Sequence, residues 1–106
     1  MAVRTSGHDA ARIDMELLSE EQISERLAGL PDWARQDDAI TCVATLASFS
    51  RAVLFVGAVA HLAEQADHHP DITIQWTKVT LTLSTHSAGG LTSRDFDLAE
   101  RISKLG

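Results

Sequence analysis

Three histidines, His68, His69 and His86, are the residues of this chain whose types and spacing suit proton-transfer chemistry. Imidazole gives and takes protons near neutral pH, and a neighbouring carboxylate sets its tautomer and orientation. Four carboxylates lie close to them in the sequence: Glu64, Asp67, Asp71 and Asp95. Glu64 and His68 are four residues apart, so a helix would place them on one face. Adjacent His68 and His69 do not readily aim at one ion, and no cysteine pair accompanies them, so the spacing is not a metal signature. A histidine on a strand or loop is commonly just a hydrogen-bonded polar residue. Spacing alone leaves that reading open beside the catalytic one.

The elements that must position these side chains can be read from local signals. Ser19-Glu20-Glu21-Gln22 has the form of a capping box, and Ile23, Leu27 and Leu30 follow at helical spacing. A first helix from about Glu20 to Ala28 is expected, stopped by Gly29 and Pro31. Segments 33–36 and 40–46 read as strands, with Asp37-Asp38 as the turn between them. Ser48 or Ser50 can cap a second helix reaching about Asp67. Its residues 52–60 are apolar without a break. A helix apolar all round is buried on more than one side. One side would face the sheet and the other a second subunit, with His61 in the core or at that contact. Cys42, among apolar strand residues, reads as a small core residue.

Pro70 ends the second helix, and segments 72–76 and 79–85 read as a hairpin with Thr77-Lys78 as its turn. That register sets Trp76 opposite Val79, Ile74 opposite Leu81 and Ile72 opposite Leu83, on one core-facing side that includes Trp76. It also sets His86 opposite His69, so Glu64, His68, His69 and His86 share a neighbourhood. Thr92-Ser93-Arg94-Asp95 is a second capping box, opening a last helix with an apolar stripe of Phe96, Leu98, Ala99, Ile102 and Leu105. The expected order is α-β-β-α-β-β-α. The fold class is α+β, a four-stranded antiparallel sheet with three helices on one face.

A length of 106 residues with 44% apolar and 23% charged content describes one globular domain. Residues 1–14 show no apolar period and read as a disordered N-terminal extension, leaving 15–106 as the domain. The formal net charge of −6 argues against a nucleic-acid binder, which needs a basic stripe to meet phosphates. The apolar run 52–60 is too short to span a bilayer and lies mid-chain, so no membrane association and a cytoplasmic location are expected. A single cysteine excludes an internal disulfide.

Glu64, His68-His69-Pro70, Trp76, His86 and Asp95 together match, residue for residue and gap for gap, the signature of the pterin-4a-carbinolamine dehydratases. The surroundings Leu83-Ser84-Thr85-His86, Gly90-Leu91 and Arg94-Asp95 resemble that family too, as does Leu30-Pro31-Asp32-Trp33 at the start of the first strand. The likeness runs from about Leu18 to Leu105. It implies an α+β fold of four strands and three helices, and assembly as a dimer or tetramer through the second helix and the sheet. It implies a hydro-lyase that takes 4a-hydroxytetrahydropterin to quinonoid dihydropterin, in tetrahydrobiopterin recycling for aromatic amino-acid hydroxylases. No metal or organic cofactor is implied. The three catalytic residues of the family would be His68, His69 and His86, with His68 and His86 expected to exchange protons and His69 to position substrate. Glu64 and Asp67 would orient the imidazoles or bind the pterin edge. Trp33 would lie beside the pterin or in the core, Asp95 would bind substrate or cap the last helix, and Arg94 would meet an acidic group or solvent. Animal members also serve as dimerisation cofactors of a transcription factor, so a protein-binding module on the same fold is the alternative.

Overall fold

The computed structural model describes residues 15–105; the expectation for residues 1–14 lies outside them. Helix α1 (Glu20–Ala28) leads into strands β1 (Trp33–Gln36) and β2 (Ala39–Thr45). Helix α2 (Phe49–Ala66) follows, then β3 (Asp71–Gln75), β4 (Lys78–Leu83) and helix α3 (Ser93–Ser103). The element order is the expected α-β-β-α-β-β-α. The four antiparallel strands are arranged β1-β2-β4-β3, so β2 and β4 form the centre of the sheet.

Local chemistry accounts for the helix ends. At α1 the Gln22 N–H donates to Ser19 Oγ at 3.1 Å, and the Ser19 N–H donates to Gln22 Oε1 at 2.8 Å. At α2, Ser48 rather than Ser50 is the cap, its Oγ accepting from the Arg51 N–H at 3.1 Å. The core lies between the helices and one face of the sheet. Ile40, Val79, Leu81 and Leu83 meet Val59 of α2 and Phe96, Leu98 and Ile102 of α3 there, all buried. The opposite face carries Thr41, Val43, Thr80 and Thr82. The three-helix, one-face arrangement follows from this alternation. Cys42 belongs to the core cluster, where burial pushes its thiol pKa up.

The β3–β4 hairpin differs from the expected register. Gln75 pairs with Lys78, Ile74 with Val79 and Ile72 with Leu81, so the turn is Trp76-Thr77 rather than Thr77-Lys78. Trp76 takes a left-handed φ of 56°, a conformation the first residue of a tight hairpin turn can require. The slip is two residues, so each strand side chain keeps its face, but Trp76 leaves the core and is 82% exposed. Its ring meets Phe49 edge-on at 6.4 Å. The chain then departs from β4 at Leu83, and His86 opens a single 3-10 turn, His86–Ala88, instead of facing His69 across a ladder.

Helix α2 is buried along one stripe only, at Ala52, Val59 and Ala63, while Val53, Leu54 and Gly57 are exposed. His61 also faces outward, not into the core. The last helix ends at Ser103, so Leu105 lies beyond it and is partly exposed. Arg26 ties α1 to α3 through Asp97 at 2.9 Å and Glu100 at 3.0 Å, with its guanidinium over the Phe96 ring. Among the described residues, no helix is long and apolar enough to cross a membrane.

Candidate active site

The C-terminus of α2 decides where the paired histidines point. Asp67 closes the helix in the left-handed region, with φ of 50°, and the His68 N–H donates to the Ala63 carbonyl at 3.1 Å. That left-handed residue takes His68 off the helical track, so the i,i+4 relation to Glu64 does not apply. His68 turns inward, 8% exposed, and its Nε2–H donates to Asp95 Oδ1 at 2.6 Å. His69 stays outward and donates from Nε2–H to Glu64 Oε2, also at 2.6 Å. Glu64 therefore orients His69, not His68 as the helical spacing suggested. The Asp67 side chain is exposed.

Asp95 is fully buried, which is costly for a carboxylate unless donors surround it. Its Oδ1 accepts from His68, and its Oδ2 accepts from the Thr85 hydroxyl at 2.8 Å and the Thr92 N–H at 2.9 Å. Asp95 is thus a helix cap and the holder of His68 at once; the two readings are one arrangement. The Thr85 and Thr92 hydroxyls are themselves 2.8 Å apart. The Thr85 carbonyl accepts from the Ala88 and Gly89 N–H groups, both at 3.0 Å, which closes the turn bearing His86. Gly89 completes that turn at φ of 81°, a conformation that favours glycine.

His69 and His86 meet at a cavity of about 370 Å³. Gln36, Asp37, Asp38, Asp71, Thr82 and Ser84 complete its polar lining. The Ser84 hydroxyl donates to the Asp38 carbonyl at 2.7 Å, and Arg35 Nε–H donates to the Asp37 carbonyl at 2.9 Å, so the β1–β2 turn is tied down at the cavity wall. The Arg35 guanidinium is paired with Glu20, and that hydrogen bond holds the Glu20 carboxyl below its usual pKa. His68 lines a separate concavity of about 230 Å³ with Arg94, Asp97 and Arg101. Arg94 reaches Met15 Sδ at 3.7 Å. Trp33 is buried away from both, its Nε1–H donating to Ser103 Oγ at 3.1 Å.

Chemically, an imidazole that donates from Nε2 has Nδ1 left for a second hydrogen bond, and His86 lines the same cavity as His69. Among the described residues no three histidine, cysteine, aspartate or glutamate side chains converge as metal ligands. The family model of pterin 4 alpha carbinolamine dehydratase matches residues 16–105. The chain belongs to the pterin-4a-carbinolamine dehydratase family. A provisionally named pterin-4-alpha-carbinolamine dehydratase of Nocardia farcinica is 57% identical over 90 residues, covering 85% of this chain and 95% of that one. The crystal structure of a transcriptional coactivator/pterin dehydratase from Brucella melitensis superposes with a TM-score of 0.80 at 34% identity, covering 83% of this chain and 96% of that one. A pterin dehydratase-like protein identified as a RuBisCO assembly factor in the alpha-carboxysome shares the fold, at a TM-score of 0.56 and 23% identity, over 69% of this chain and 84% of that one.

The spacing of the dehydratase signature named the three histidines, Glu64 and Asp95 as candidates; the fold brings His69 and His86 to one cavity, Glu64 to His69 and Asp95 to His68. The signature did not single out Thr85 or Ser84. Their available signal was the segment Leu83-Ser84-Thr85-His86, which read as a strand end and as part of the family resemblance, with no role for either side chain. Asp37 and Asp38 were legible as a turn, and only the folded sheet carries them to the wall facing His69.

Proposed function

We propose that this chain dehydrates 4a-hydroxytetrahydropterin to quinonoid dihydropterin, using its histidines as acid and base and no metal. The observation that carries the proposal is the cavity shared by His69 and His86, with Glu64 orienting the His69 ring. In the reaction the C4a–O bond breaks, the N5–H proton leaves, a C4a=N5 double bond forms and water departs. A proton donor at the hydroxyl and a base at N5 are what this requires. General acid–base help of that kind is worth roughly 10²–10⁴-fold. The geometry favours His69 as the partner of His86, whereas His68, expected to be that partner, acts from behind through Asp95. The carboxylates of Asp37, Asp38 and Asp71 suit the amino and N–H donors of a pterin ring. The role would be recycling of tetrahydrobiopterin for aromatic amino-acid hydroxylases, in the cytoplasm. Carbinolamine generated in solution should lose water faster with added protein, and an unchanged rate would overturn the reading.

A second reading rests on α2, where Phe49, Val53 and Leu54 are exposed apolar side chains. They suit a homodimer or homotetramer contact, or a partner helix of the kind a coactivator would take. The similar Brucella melitensis protein is a transcriptional coactivator/pterin dehydratase, which supports this second reading. Dehydratase activity with no protein partner, retained in variants altered on that face, would favour the enzyme reading.

A further inference from the structure

His68 and His86 occupy different concavities, and no hydrogen bond joins their rings. Between them lies a closed chain of buried hydrogen bonds. The Asp95 carboxylate, with no exposed surface, takes His68 Nε2–H on one oxygen and the Thr85 hydroxyl on the other. A hydroxyl has one proton, and Thr85 commits its own to Asp95, so the Thr92 hydroxyl must donate to Thr85. The side chain of Thr85 is thereby held on both sides. Its main chain holds the His86 turn: the Thr85 N–H donates to the Gly90 carbonyl at 3.0 Å, and its carbonyl accepts from Ala88, Gly89 and Gly90. Every buried side-chain polar atom among the described residues has a partner, so this network has no slack to absorb the loss of one member.

We propose that Thr85 is a positioning residue that couples His68 to His86, its hydroxyl seated on the Asp95 carboxylate that holds His68 and its backbone carrying the turn that presents His86. The inference rests on the dehydratase reading for its kinetic consequence, but the coupling itself is a property of the folded chain. His86 is exposed and makes none of these bonds with its ring, so its placement at the cavity is inherited from Thr85. His68 need not touch substrate to matter, because replacing its ring removes one of the three donors that hold the Asp95 carboxylate, and the one on Oδ1.

The test joins kinetics to NMR of the histidine rings in the full chain. Thr85→Val keeps the shape and removes the hydroxyl, whereas Thr85→Ser keeps the hydroxyl. Thr85→Val should lower kcat by about 10²-fold, the scale of a small misplacement of a catalytic group, with KM moved far less. It should also shift the ring resonances of both His68 and His86, and Thr85→Ser should restore rate and resonances. If Thr85→Val does not fold, His68→Gln is read instead, and the His86 resonances should move although that residue is untouched. Unmoved His86 resonances in the folded variant, or a Thr85→Val rate equal to wild type, would overturn the coupling. A wild-type chain without dehydratase activity would remove the proposed function and leave the NMR result to decide the coupling alone.

Discussion

At the scale of single residues, the two adjacent histidines meet different carboxylates, because the left-handed Asp67 ends the helical track just before them. Asp67 at φ of 50° sends His68 into the protein and leaves His69 beside Glu64 at the surface. His86→Ala and His69→Ala are each expected to lower kcat by roughly 10²–10⁴-fold while leaving the far-ultraviolet circular dichroism unchanged. Wild-type turnover in a folded double variant would show that neither ring transfers a proton. Because His68 and His69 each give their Nε2–H to a different carboxylate, activity is also expected to survive exhaustive chelation. Loss on chelation with recovery on adding zinc would contradict this.

At the scale of elements, the β3–β4 turn and the α1–β1 contact give separate expectations. Trp76 sits in the left-handed region, which costs a bulky residue roughly 1–2 kcal/mol, and it returns only an exposed edge contact with Phe49. Trp76→Gly should therefore raise stability in the monomeric unit by up to about 1 kcal/mol, read as an upward shift in urea midpoint. A lower midpoint would mean that the ring makes contacts worth more than the strain. The Glu20–Arg35 pair joins the start of α1 to β1, and its hydrogen bond lowers the Glu20 pKa from the ordinary 4.5. A carboxyl with a lowered folded-state pKa adds stability above its ordinary value, and the contribution fades as pH falls below it. Wild type should thus exceed Glu20→Gln in Tm at pH 6, by a small margin because the pair is exposed, and the two should converge near pH 3. A gap that widened in acid would exclude this pair as its source.

At the scale of the whole molecule, the sheet covers one stripe of α2 and leaves Val53 and Leu54 in water, Leu54 at 69% exposure. Monomers seldom leave a contiguous apolar patch uncovered, and a closed homo-oligomer is the usual way to bury one. Leu54→Glu is expected to shift the protein to smaller species by light scattering while dehydratase activity per chain persists. A wild-type monomer at micromolar concentration would rule out this use of the helix.

Much of the fold was legible in the sequence because its signals are local. The Ser19 capping box, the Gly29 stop, the Asp37-Asp38 turn and the alternation along β2 and β4 each act within a few residues, and each element forms where those signals stand. The site was legible as a set of residue types, since the spacing of His68, His69, His86 and Asp95 survives in the linear chain. Tertiary structure alone decided which imidazole meets which carboxylate. Asp95 reaches His68 from 27 residues away, and Thr85 reaches Asp95 only after the β4 end and the α3 start are packed together. The hairpin register was likewise decided by backbone geometry at Trp76, where a positive φ moved the turn and turned an apparent core residue out into solvent. Periodicity records which face a residue prefers; it carries no information on a dihedral angle that depends on how two strands meet.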